Sequence, residues 1–146
     1  MGNPKYEFES ALSFTTYEFI SKGPKGDIRK LVKYEKYDNA DIYNLGFGDK
    51  LGETNKFDDK VVSNNGDSKK VLATVAATLY KFTDEYPDAV IAATGSSLAR
   101  TRLYRIAISN ALHQINIDFS ILGYLDDEWE LFKPNRNYTA FLITRK

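Results

Sequence analysis

Cysteine is absent from the 146-residue chain, and histidine and tryptophan occur once each. The first absence excludes thiol catalysis, disulfide frameworks and thiolate zinc sites together. Nor is there an excess of either charge, with 20 basic residues against 20 acidic. That balance argues against nucleic-acid binding by bulk charge and leaves only a local basic patch. Long hydrophobic runs are missing too: the longest, Ala89 to Ala93, is far too short to cross a bilayer. The opening MGNPKYEFES has no apolar stretch of the kind a signal peptide needs. Gly2 does not open a myristoylation site, because Tyr6 stands where that motif wants Ser or Thr. The default expectation is a bacterial cytosolic location with no membrane partner.

Aromatic residues, by contrast, are plentiful: 10 Tyr and 9 Phe bring the aromatic share to 14%. A chain of this length fits one domain and buries about two-thirds of its unfolded surface. Its aromatics supply a core without disulfides or metals, and its charge balance is not that of a disordered chain.

Alternation of apolar and polar residues predicts three antiparallel strands in the first third. They lie around Tyr17 and Phe19, from Ile28 to Tyr34, and from Tyr43 to Phe47, with turns at Gly23-Pro24-Lys25-Gly26 and Asp38-Asn39-Ala40-Asp41. Residues 49–67 read as an exposed polar arm with a short strand at Val61-Val62. Asp67 is a candidate N-cap for a helix from Ser68 to Tyr86, which Pro87 ends. Ala89 to Ala93 reads as a strand buried on both faces, near the middle of the sheet. A second helix is expected from Leu98 to Ile115. Strands follow around Phe119 to Leu125, Trp129 to Phe132 and Tyr138 to Thr144.

The expected fold is α+β: a mixed or mostly antiparallel sheet with two helices on one face, in one domain. Three strands, helix, strand, helix is also the chain order of the ribonuclease H-like fold, an analogy of topology that carries no function. Enzymes of that fold hold two metal ions with carboxylates on the first strand, first helix and central strand. Here the central strand ends in Thr94-Gly95-Ser96 and the first helix opens with Lys69 and Lys70, so Glu18 alone makes no such site.

The segment from Ala93 to Arg105 is the most informative for function. A strand leads through Gly95, Ser96 and Ser97 into a helix with three arginines in its first two turns, Arg100, Arg102 and Arg105. Free N–H groups and the positive end of the helix dipole favour an anion there, and arginine gives planar, bidentate donors for phosphate or carboxylate. Arg102 and Arg105 lie off the apolar stripe. Arg100 lies on it, four residues before Tyr104, and must be paired or reach a ligand. An internal ion pair for Arg100 with solvated neighbours is the competing reading. No Walker motif is present.

Other candidates are weaker. Asp58, Asp59, Asn64, Asn65 and Asp67 do not match an EF-hand, and turn and cap chemistry explains Asn64 to Asp67 without metal. No nucleophile elbow accompanies His113, which reads as surface. Asp126-Asp127-Glu128 with Glu130 reads as a hairpin tip, beside Trp129. Arg29, Lys30, Lys33, Tyr34, Tyr43 and Phe47 lie on adjoining strands, and a base-stacking face is one reading of them. The core beneath the helices is the favoured place for these aromatics.

The chain resembles an uncharacterised bacterial protein family of unknown function. The resemblance rests on Tyr17 to Gly26, Tyr43 to Asp49, Ser63 to Asp67, Lys70 to Ala76, Ala93 to Ser97 and Ala99 to Arg105. It spans nearly the whole chain and implies no activity, cofactor or catalytic residue. The functional expectation is therefore a non-enzymatic binding domain without cofactor or metal. Ser96, Ser97, Arg100, Arg102, Tyr104 and Arg105 form its candidate site for nucleic acid or another phosphate-bearing ligand. The alternative is a protein-interaction module, such as one half of a toxin–antitoxin-like pair, with Tyr104, the arginines and the 49–67 arm as its interface.

Overall fold

The alternating first half of the chain folds as an antiparallel meander. In the structure, a computed structural model, residues 5–37, 41–58, 65–94 and 98–146 are described, with backbone only at 98, 100 and 110–114. A short strand β1 (Glu9–Ser10) precedes the three expected ones, β2 (Thr16–Gly23), β3 (Gly26–Lys36) and β4 (Ile42–Lys50). Gly23 and Gly26 face each other across the first turn, and Gly26 takes the left-handed φ of +87° that glycine tolerates. The turn expected at Asp38-Asn39-Ala40 and the strand expected at Val61-Val62 lie outside the described residues.

The arm expected over 49–67 is anchored at both ends. β5 (Phe57–Asp58) turns back onto the end of β4. The ring of Phe57 occupies the space above Gly46, where a Cβ would come within 2.7 Å of it. At the far end Asn65 is buried, so only 51–56 behave as an exposed polar loop among the described residues.

Helix α1 (Ser68–Glu85) runs between Asp67 and Tyr86, with Pro87 just beyond its end as expected. Val71, Leu72, Val75, Leu79 and Phe82 recur at helical spacing and are buried. Thr74, Thr78 and Thr83 are buried beside them, because each hydroxyl donates to a carbonyl of the preceding turn: Lys70, Val75 and Leu79, at 2.7, 2.6 and 2.8 Å. Then come β6 (Val90–Ala93), α2 (Leu98–Asp118), β7 (Phe119–Leu125), β8 (Glu128–Leu131) and β9 (Ala140–Arg145).

The sheet order is β1-β2-β3-β4-β6-β9-β7-β8, with β5 beside β4. Every pair is antiparallel except β4 with β6. The fold is α+β. Its likeness to the ribonuclease H-like fold ends at chain order: there the strand after the first helix adjoins the first strand of the meander, whereas β6 adjoins the last.

Both helices cover one face. Tyr34 stacks on Phe82 at 4.2 Å between ring centres, Tyr43 meets the same ring edge-on, and Phe47 meets Tyr104 edge-on at 5.7 Å. The meander aromatics are therefore core and not a base-stacking surface. β6 is covered on that side only: Ile91 and Ala93 are buried, while Val90 and Ala92 are half-buried, contrary to the expectation of burial on both faces.

The outer face divides at the junction of β4 and β6. On the meander side the register places Glu18 and Lys22, then Arg29 and Lys33, then Lys50 outward. Lys50 and Arg29 both approach Glu18, at 2.9 and 3.7 Å, and Arg29 also pairs with Glu53. From β6 onward the same face carries Val90 and Ala92, then Ala140, Leu142 and Thr144. Ser120, Leu122 and Tyr124 follow, and Trp129 and Leu131 complete it, so no position there is charged. No helix among the described residues is long and apolar enough to cross a membrane.

Candidate functional site

Strand direction places both helix starts at one end of the molecule. Helix α2 leaves from the carboxyl end of β6, which runs parallel to β4. Helix α1 starts beside Ser21, at the end of the sheet where Lys30 pairs across to Asp49 near the end of β4. At the opposite end the Tyr80 hydroxyl donates to Asp118, the last residue of α2, at 2.8 Å. β4 pairs with β6 through residues 42–44 and with β5 through 49–50. Between those stretches the Tyr104 hydroxyl donates to the Leu45 carbonyl at 3.1 Å.

The sheet surface at this end is polar although the helices cover it. Asp67 does not cap α1 with its side chain. Its Oδ2 instead accepts the hydroxyls of Tyr6 and Ser21, each at 2.5 Å. Burial raises the pKa of the Tyr6 hydroxyl, and the hydrogen bond to Asp67 adds to the rise. The Lys70 ammonium lies 4.2 Å from the centre of the Tyr6 ring. Asn65 clasps the hairpin: its Oδ1 accepts the Lys25 N–H at 2.7 Å, and its Nδ2 donates to Gly26 O and Ser21 Oγ at 2.9 and 3.2 Å. Lys30, only 5% exposed, donates to Asp49 Oδ1 at 2.5 Å.

Neither helix has an acidic residue in its first turn. Helix α1 opens Ser68-Lys69-Lys70, and α2 opens Leu98-Ala99-Arg100-Thr101-Arg102. The helix dipole favours anionic side chains there and disfavours cationic ones. Two helix starts of this composition stand at one end of the sheet, with the Asp67 carboxylate beside the first.

The residues singled out from sequence do not share one role. Arg102 is exposed and has no ion pair among the described residues. Arg105 is half-buried and donates to Asn137 Oδ1, which directs it to the loop before β9. Tyr104 is buried, so its ring belongs to the core and is not a ligand contact reached from solvent. Ser96, Ser97 and the side chains of Arg100 and His113 lie outside the described residues, as do Asp59 and Asn64. Among the described residues no group of three or more His, Cys, Asp or Glu is placed to hold a metal.

Sequence reasoning missed the Lys30–Asp49 and Tyr6–Asp67–Ser21 contacts. Lys30 did leave a signal: it shares the Ile28, Val32 and Tyr34 face of an alternating strand, where a lysine must find a partner. Tyr6 left none, because its partners are 16 and more residues away.

A family model described as a family of unknown function (DUF6934) matches residues 2–146. The chain belongs to that family. No curated protein and no solved structure matches it. The match covers every segment on which the resemblance was read, and several of those segments meet at one end of the sheet: the β2–β3 hairpin, the end of β4, Asn65 to Asp67, and the first turns of α1.

Proposed function

We propose that this family member is a non-enzymatic binding domain that takes phosphate-bearing ligands, with nucleic acid the leading class, at the end of the sheet where α1 and α2 begin. The observation that carries the reading is the pairing of two helix starts that both present bases and no acids in their first turns. Arg102 faces solvent there and is the principal phosphate contact; Lys69, also exposed, is the second. Ser96, Ser97 and Arg100 keep the roles their sequence suggests, as hydroxyl donors and a bracing guanidinium. Arg105 supports α2 through Asn137. A bacterial cytosolic setting belongs to the same proposal.

Binding of labelled single-stranded DNA, duplex DNA and RNA at two salt concentrations tests it. About three phosphate contacts imply a log–log salt slope of about −2 to −3, which Arg102→Ala reduces by about 1. Absence of binding at low salt to all three nucleic acids removes nucleic acid as the ligand.

A further inference from the structure

The second half of the sheet leaves its outer face without a covering layer among the described residues. Its uncharged side chains include Val90, Leu122, Tyr124, Leu131 and Leu142, and the ring of Trp129 packs 4.9 Å from that of Tyr124. Trp129 is 44% exposed and Leu131 66%. Charged residues make up 27% of this chain, and the neighbouring half of the same face is laced with ion pairs, so the change at β6 is local. A contiguous apolar patch beside a charged half of the same face is a candidate interaction surface.

Size and charge decide what fits. Four strands about 4.8 Å apart, of four, six, seven and four residues, make a patch of about 330 Å². A stable dimer interface needs about 800 Å² from each partner, so a second copy laid flat on this patch is undersized. A single helix of about four turns, about 10 Å wide with its side chains, covers about two-thirds of it. At the β7–β8 turn the patch is bordered by Asp126 and Asp127, neither of which forms an ion pair among the described residues. That rim repels an anionic lipid surface and attracts a cationic flank.

We propose that the outer face of β6, β9, β7 and β8 docks an amphipathic helix of a partner protein, one whose apolar stripe is flanked by basic residues. The site is separate from the phosphate site and does not depend on it. The hydroxyl of Tyr124 and the indole N–H of Trp129 supply the polar contacts at the patch edge, and the aliphatic residues supply the seat.

The test uses two synthetic amphipathic helical peptides of about fourteen residues, one of leucine and lysine, the other of leucine and glutamate. Trp129 is the chain's single tryptophan, so its emission reports the patch directly. The leucine–lysine peptide shifts that emission to the blue. Leu131→Asp weakens binding about tenfold or more, while Leu12→Asp, at a fully exposed leucine elsewhere, leaves it unchanged. Asp126→Asn with Asp127→Asn weakens binding and lowers its salt dependence. No binding, equal binding of the leucine–glutamate peptide, or indifference to Leu131→Asp overturns the proposal. A dimer in sedimentation that Leu131→Asp dissociates overturns it in favour of a second copy. A blue shift with phosphatidylglycerol vesicles overturns it in favour of a lipid surface.

Discussion

The backbone carbonyl of Asn65 lies where a side chain on Gly23 would have to go, 1.9 Å from an ideal Cβ. Glycine at position 23 is required by this approach and not by its φ. The same asparagine ties both strands of the hairpin through its amide. Gly23→Ala is therefore expected to cost about 2–3 kcal/mol through forced separation of the two segments. Asn65→Ala, which leaves buried groups without partners, costs about 2–4 kcal/mol. Urea unfolding of each variant gives both numbers, and a loss below about 0.5 kcal/mol at either site contradicts the clasp.

Asp67 separates two accounts of how α1 begins. As a side-chain cap it would be energetically independent of Tyr6; as the acceptor of the Tyr6 hydroxyl it is coupled to it. A double-mutant cycle of Tyr6→Phe and Asp67→Asn is expected to give a coupling of about 1 kcal/mol or more. Additive losses restore the capping role.

Lys30 carries a buried ammonium on the helix-covered face, with Asp49 against it. Lys30→Met removes one partner and leaves the carboxylate, a change expected to cost about 3 kcal/mol in denaturant unfolding. Lys30→Arg keeps the charge and loses less. If Lys30→Met matches the parent protein, the pair contributes nothing to folding.

Buried tyrosines contribute a pH dependence to stability at the alkaline end. Burial, aided by Asp118, pushes the Tyr80 hydroxyl up to about 12, and burial also raises Tyr17 and Tyr34 above the ordinary value. The folded chain keeps protons that the unfolded chain releases near about pH 10, so this contribution is complete below that pH. It is lost as pH rises through the folded values, from about 10 to 12 and beyond. Unfolding followed against tyrosinate absorbance is expected to show late-titrating tyrosines whose ionisation coincides with loss of the fold. Titration of every tyrosine near pH 10 with the fold intact contradicts the burial.

Local pattern made the elements legible: the meander, both helices and the later strands fall where alternation, helical spacing and Pro87 put them. Strand order was not legible, because an alternating strand reads the same whether its neighbour is parallel or antiparallel. β1 and β5, two residues each, are too short to leave a period. In the candidate site, sequence indicated the basic start of α2 but not that α1 starts at the same end of the sheet, which follows from the direction of β6 relative to β4. It also treated Arg105 and Tyr104 as ligand contacts. Asn137 lies 32 residues from Arg105, and Leu45 lies 59 from Tyr104, so neither partner was visible from the helix alone.

The most direct test of the phosphate-site proposal is an amide chemical-shift titration of the isotope-labelled chain with a short single-stranded oligonucleotide, repeated with inorganic pyrophosphate. The account predicts shifts concentrated at residues 67–71 and 94–102, lost in Arg102→Ala while the rest of the spectrum is unchanged. Absence of shifts with both probes, or shifts confined to residues outside those two helix starts, contradicts it.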